Sequence, residues 1–175
     1  MVSVGGKAPG FTLRGISAGQ VADYNLDSYK GKWLVLFFYP ADFTFICPTE
    51  VVGFSKLAAE FRAEDAEVLG VSVDSIDSHR DWVVELGGVN YPLLSDTDKS
   101  VSRTYEVLDQ KEGVSQRATF IISPSTEISY LVVSHMNVGR SVEETLRVLK
   151  ALRTDRLCPS GWRPGAETGH PDLKY

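Results

Sequence analysis

The sequence predicts an α/β layer fold. Three observations carry that prediction. Strand-like and helix-like segments alternate along the chain. Residues 33–39 (Trp-Leu-Val-Leu-Phe-Phe-Tyr) are apolar without interruption, as in a strand covered on both faces. Beyond residue 47, Phe54, Leu57, Ala58 and Phe61 fall at i, i+3, i+4 and i+7. That is the apolar stripe of a helix reaching about residue 64.

The remaining elements follow in order. Residues 67–74 read as a second buried strand, and the strand–helix–strand order implies a right-handed parallel crossover. Residues 78–86 form a short helix with Trp82 and Val83 inward. Residues 91–94 are a brief extended piece and 98–105 another short helix. Residues 118–123 and 127–133 are strands joined across Pro124, Ser125 and Thr126, a hairpin. Ser141 and Glu144 make a capping box, opening a helix with Val142, Leu146 and Leu149 on one face and an end near residue 152. From residue 154 the periodicity stops. Residues 158–165 (Cys-Pro-Ser-Gly-Trp-Arg-Pro-Gly) and the polar tail read as an extended arm, mobile or held against another subunit. The chain thus divides into a domain, residues 1–153, and an arm, residues 154–175.

Composition narrows the function. A chain of 175 residues is long enough for one self-sufficient core. A net charge of -5 and no basic cluster argue against nucleic-acid binding. No apolar run is long enough to span a bilayer, and residues 1–7 carry no secretory signal, so the cytosol is the expected compartment. There are two cysteines, Cys47 and Cys158, and no C-x-x-C. In a reducing compartment such a pair points to catalysis rather than a permanent bridge. His79, His135 and His170 lie at no metal-ligand spacing from a cysteine and are read as surface or loop histidines. No metal or cofactor is expected.

Cys47 stands out by its setting, Phe-Phe-Tyr-Pro-Ala-Asp-Phe-Thr-Phe-Ile-Cys-Pro-Thr-Glu over residues 37–50. A strand ends, Pro40 forces a turn, and a thiol opens a helix. Amides at a helix start lack intrahelical partners and carry partial positive charge, which favours a thiolate. The same residue type also suits a buried structural position. Likewise, taken singly, Pro40 ends a strand, Thr44 caps a turn, and Arg117 sits on a strand surface.

Together, Pro40, Thr44 and Cys47 fit the pattern Pro-x-x-x-Thr-x-x-Cys, and here the chain resembles a peroxiredoxin of the two-cysteine, alkyl hydroperoxide reductase type. The resemblance runs from Gly6 to the Pro-Ser-Gly-Trp-Arg-Pro-Gly run after Cys158. It implies a thioredoxin-like fold, a central mixed sheet with helices on both faces. It also implies a thiol-dependent peroxidase acting on hydrogen peroxide and alkyl hydroperoxides. Cys47 matches the peroxide-reactive thiol, and Arg117 the arginine that holds the thiolate and polarises the peroxide. Thr44 offers a hydroxyl that donates and accepts. Pro40 shields the sulfur from water. Glu50 and Arg140 match positions that orient Arg117.

Oxidation leaves a sulfenic acid, which condenses with a second thiol. Cys158 matches the family's resolving cysteine. The resemblance implies that it comes from the partner subunit, that the dimer is obligate, and that dimers associate into a decamer. Phe43, Phe45 and Trp82 are candidates for that ring contact or for the core. An external thioredoxin-like protein or flavoprotein disulfide reductase must reopen the disulfide.

The chain also departs from the family. Gly87-Gly-Val-Asn90 replaces a longer Gly-Gly-Leu-Gly stretch, and the tail to Tyr175 lacks a Tyr-Phe pair. Both departures imply resistance to sulfinic inactivation. Ser123 replaces an acidic residue, and His135-Met-Asn137 precedes Arg140 where a different polar loop is usual, which leaves the placement of Arg140 open.

Three other readings rank lower. A thiol–disulfide oxidoreductase lacks its second cysteine near Cys47. A cysteine hydrolase lacks a placed histidine base. A ring-forming holdase or peroxide sensor can coexist with the peroxidase.

Overall fold

A computed structural model describes residues 1–173. Lys174 and Tyr175, the end of the tail invoked for sulfinic resistance, lie outside the described residues. Nine strands and four α-helices follow in order: β1 Thr12–Ser17, β2 Gln20–Asn25, β3 Trp33–Phe38, α1 Cys47–Ala63, β4 Ala66–Ser72, α2 Ile76–Glu85, β5 Leu93–Ser95, α3 Ser100–Thr104, β6 Leu108–Asp109, β7 Val114–Ser115, β8 Arg117–Ile122, β9 Ile128–Ser134 and α4 Val142–Arg153. A 3₁₀ turn, Leu26–Tyr29, follows β2. Seven strands form one mixed sheet in the order β2-β1-β5-β4-β3-β8-β9, and β6 and β7 pair apart from it.

The uninterrupted apolar run becomes β3, parallel to β4 on one side and antiparallel to β8 on the other. Successive side chains of a strand point to opposite faces, so β3 feeds two cores. Val35 and Phe37 join Cys47, Phe54 and Leu149 on the face covered by α1, α2 and α4. Leu34, Leu36 and Phe38 join Phe11, Val101 and Tyr105 on the other. Helical cover is therefore unequal. The second face has only short α3, and the amino-terminal segment supplies the rest of its lining.

Phe54, Ala58 and Phe61 are buried along α1, and Leu57 packs against the same core, as the spacing predicts. In α4, Val142, Leu146 and Leu149 face inward. Only half of the predicted capping box forms. The Ser141 hydroxyl accepts from the Glu144 amide at 3.1 Å, but the Glu144 carboxylate turns to Arg147.

Two regions differ from expectation. The β1–β2 hairpin carries weak signals: β1 buries Leu13, Gly15 and Ile16 without clean alternation, and its two-residue turn is Ala18-Gly19, both at positive φ. That is turn chemistry Asn-Gly usually announces. Gly15 must be glycine for another reason, since a Cβ there would lie 3.0 Å from the Leu93 carbonyl oxygen.

After α4 the chain adds no further helix or strand among the described residues, but it is not loose. A bridge joins Leu157 to Gly169, and Trp162 is 5% exposed. Arg147 of α4 donates to the Trp162 carbonyl at 2.9 Å. A bridge, a buried indole and one side-chain bond from α4 therefore hold a segment that has no periodicity to announce it. Replacing Trp162 by Ala removes a side chain whose loss from a core costs about 3–5 kcal/mol. The expected result is faster proteolytic cleavage within residues 154–173, with the unfolding midpoint of the sheet domain nearly unchanged.

Candidate active site

The site forms where three elements meet. β3 ends at Phe38, the chain turns through Tyr39 and the buried Pro40, and a short loop delivers Cys47 as the first residue of α1. Ile46 caps this helix without a side-chain hydrogen bond, and Pro48 sits in the first turn, where its missing N–H costs nothing. The Thr49 and Glu50 amides of this turn donate to the Ile46 carbonyl. β8 begins with Arg117, and its register pairs Ala118 with Phe38. This brings the guanidinium just past the end of β3.

Arg117 is 5% exposed and makes three contacts. Its Nη1 lies 3.3 Å from Cys47 Sγ and 2.8 Å from Glu50 Oε2, and its Nε donates to the Met136 carbonyl at 2.8 Å. Glu50, in the first turn of α1, is shared with Arg140. The Arg140 backbone N–H and Nε each donate to Oε1 at 2.9 Å. Arg140 also donates to the Ala118 carbonyl, the Thr119 hydroxyl and the Phe38 carbonyl, and its Cζ lies 5.2 Å from the Phe37 ring centroid. Burial pushes the Arg140 pKa down, and the Glu50 charge pulls it back up.

The electrostatics follow from a count. Two guanidiniums and one carboxylate leave one uncompensated positive charge. A buried charge needs a partner. A thiolate at Cys47, already beside Arg117, would bring the cluster to neutrality.

Cys47 is fully buried and belongs to the core lined by Val51 and Phe54. The two alternatives for this residue therefore coincide: it is packed like a core cysteine, yet touches a guanidinium. Thr44 is exposed, and its hydroxyl donates to the Ala41 carbonyl at 2.9 Å. It is oriented by its own loop, and its lone pairs remain available. Cys158 stands apart, just beyond α4. Its Sγ is 3.5 Å from the Thr154 hydroxyl, and it lines a cleft of about 610 Å³ with Arg147, Leu152 and Pro159. Both cysteines are free.

The structure thus gathers Pro40, Cys47, Glu50, Arg117 and Arg140 at one end of β3, and places Thr44 on the adjoining loop. The His135-Met-Asn137 departure does not disturb Arg140, because that loop serves Arg117 through the Met136 backbone. Sequence reasoning missed Thr119, Phe37 and the Met136 carbonyl as supports. Only the inward alternation of β8 could have pointed to Thr119.

It also misread His79, which is fully buried: Nδ1 lies 2.7 Å from Asp42 Oδ2 and Nε2 3.0 Å from the Leu94 carbonyl. No group of three or more His, Cys, Asp or Glu residues able to hold a metal occurs among the described residues. No helix of the described residues is long and apolar enough to cross a membrane.

A cysteine opening a helix, beside a buried arginine pair on a mixed sheet of thioredoxin-like type, defines a thiol enzyme of that fold. The AhpC/TSA family matches residues 4–131. The putative peroxiredoxin YkuU of Bacillus subtilis (strain 168) is 48% identical over 94% of this chain and 97% of its own length. Peroxiredoxin-2 of Mus musculus is 44% identical over 97% of this chain and 91% of its own. Among solved structures, the reduced 2-Cys peroxiredoxin of Plasmodium vivax superposes with a TM-score of 0.90 at 35% identity, covering 94% of this chain and 91% of that one. The chain belongs to the AhpC/TSA family, within it to the peroxiredoxins, and is a peroxidase enzyme.

Proposed function

We propose that Cys47 is the peroxide-reactive thiol and that Cys158 of the partner subunit resolves its oxidised form. The observation that carries this reading is the 3.3 Å contact from Arg117 Nη1 to Cys47 Sγ. The thiolate attacks one oxygen of ROOH. The O–O bond breaks, sulfur keeps OH as a sulfenic acid, and RO⁻ leaves to take up a proton. The donors of Arg117 stabilise charge on that leaving oxygen. Thr44 accepts from the peroxide O–H, Pro40 keeps water off the sulfur, and Glu50 with Arg140 holds Arg117 in place.

The sulfenic acid then condenses with the resolving thiol, releasing water and forming an intersubunit disulfide. An external dithiol, on a thioredoxin-like protein or a flavoprotein reductase, reduces that bond by exchange. This cycle needs a homodimer and a reducing compartment such as the cytoplasm. Assembly of dimers into a decamer draws support from Phe43 and Phe45, which are 52% and 93% exposed on the loop before Cys47.

Serine variants test the scheme. Peroxide consumption with a thioredoxin system is expected to vanish in Cys47→Ser. In Cys158→Ser a single turnover should survive without recycling. On a non-reducing gel, the oxidised protein should run as a covalent dimer that either substitution abolishes. A disulfide within one chain would require a different resolving step.

A further inference from the structure

The loop between β3 and α1 carries Thr44, yet its hold on the fold lies elsewhere. Asp42 is 6% exposed. Its Oδ1 accepts from the Tyr39 hydroxyl at 2.8 Å, its Oδ2 accepts from the Ser78 hydroxyl at 2.8 Å, and Oδ2 lies 2.7 Å from His79 Nδ1. Its backbone N–H donates to Asp74 Oδ2 at 2.9 Å. The Leu94 carbonyl can only accept, so the His79 Nε2 facing it carries a hydrogen. Burial and the Asp42 charge push the Tyr39 phenol well above its ordinary pKa, which keeps it a donor.

The next residue, Phe43, has φ +56, a left-handed conformation strained for a bulky side chain. Such strain persists only where the surroundings over-determine it. Here the surroundings are the four bonds of Asp42 and the Trp82 ring, 6.2 Å from that of Phe43 between centroids. Thr44 follows directly and spends its hydroxyl hydrogen on the Ala41 carbonyl, so its position depends on residues 41–43.

We propose that Asp42 is a positioning residue for the peroxidase reaction: anchored to Tyr39, Ser78, His79 and Asp74, it holds the strained turn that places Thr44 for the peroxide. The proposal rests on the reading of Cys47 as the peroxide-reactive thiol. Asp42 makes no hydrogen bond to Cys47, Arg117 or Glu50, so it acts on the reaction partner rather than on the sulfur.

The test compares two rate constants of Cys47 in the reduced full chain, one with hydrogen peroxide and one with chloroacetamide, which needs no hydroxyl from Thr44. Asp42→Ala should slow the peroxide reaction at least about tenfold and change alkylation by no more than about threefold, since misplacement of a positioning group costs reaction rate. Asp42→Asn should restore the peroxide rate to within about threefold of wild type, because its amide oxygen can face Tyr39 while its nitrogen donates to a neutral His79 Nδ1. An unchanged peroxide rate in the alanine variant, a parallel fall in both rates, or an asparagine variant as slow as alanine would each overturn the proposal. Should Asp42→Ala fail to fold, Asp74→Ala removes the acceptor of the Asp42 amide while leaving the Asp42 carboxylate in place; it also takes the acceptor of the Ser72 hydroxyl. The same split is then expected, and its absence counts against the anchor. A wild-type chain that alkylates at Cys47 but does not react there with peroxide overturns the proposed function itself, and the anchor with it.

Discussion

Arg117→Leu is expected to lower the rate constant of Cys47 with hydrogen peroxide by about 10²–10³, the loss that follows removal of one preorganised donor from a developing oxyanion. Its Nη1 faces the sulfur at 3.3 Å, and in the proposed mechanism its donors also stabilise charge on the departing peroxide oxygen. Leucine supplies volume and no donor.

Stability should suffer less than activity. Glu50 keeps Arg140, whose N–H and Nε both still donate to Oε1 after Arg117 is gone, so the carboxylate is not stranded. Arg117→Lys makes the sharper comparison. An ammonium keeps the charge, but it cannot reach the Met136 carbonyl through one nitrogen and Glu50 and the sulfur through another held in the same plane. Its rate should fall between those of arginine and leucine. Stopped-flow fluorescence under single-turnover conditions measures all three. A leucine variant within a few-fold of wild type would remove Arg117 from the mechanism.

Glu50→Gln is expected to show the largest loss of stability of any conservative change in the molecule. Glu50 is 2% exposed and is the one carboxylate between two buried guanidiniums. Glutamine keeps the shape but removes the charge. One end of its amide can still accept; the other presents N–H groups to a guanidinium that also donates. Breaking one member of a buried ion pair costs about 3–5 kcal/mol, because the partner charge is left in low dielectric. Here two partners are left, and Arg140 is the worse placed, since burial already works against its charged form.

Urea unfolding of the reduced protein should register that cost. The peroxide rate should fall as well, since Arg117 loses the contact that fixes its orientation. A Gln variant within about 1 kcal/mol of wild type would mean that surface-like screening reaches the cluster.

Much of the fold could be read from residue order because the relevant signals are local. β3 announces itself by an apolar run, α1 and α4 by stripes at helical spacing, and the β8–β9 hairpin by a polar turn around Pro124. The β1–β2 hairpin escaped notice because Gly15 and Ile16 break the alternation and Ala18-Gly19 is an unremarkable pair in sequence. Gly15 makes sense only once Leu93 is seen 3.0 Å from where a Cβ would be. The arm was read as mobile or held against another subunit for the same reason. Within the chain it is tied by single contacts, among them the Leu157–Gly169 bridge and the Arg147 bond to the Trp162 carbonyl, and single contacts make no pattern.

The site divides the same way. The run around Cys47 was legible, because a proline, a threonine and a cysteine at those spacings are covalently tied to the end of one strand and the start of one helix. His79 was not legible. Its partners, Asp42 and the Leu94 carbonyl, lie 37 and 15 positions away. Nothing in the order of residues separates a buried, doubly bonded histidine from an exposed one.

The sequence by itself singled out Cys47 as the candidate thiol, the residue types beside it and the layered α/β plan, since each depends on residues close along the chain. Tertiary structure alone decided that Arg117, Glu50 and Arg140 share one charge balance, and that Asp42 is locked between β3 and α2. The physical reason is distance. Coulombic and hydrogen-bond partners act over about 3 Å in space, and only the folded sheet brings positions 67 to 90 residues apart to that range.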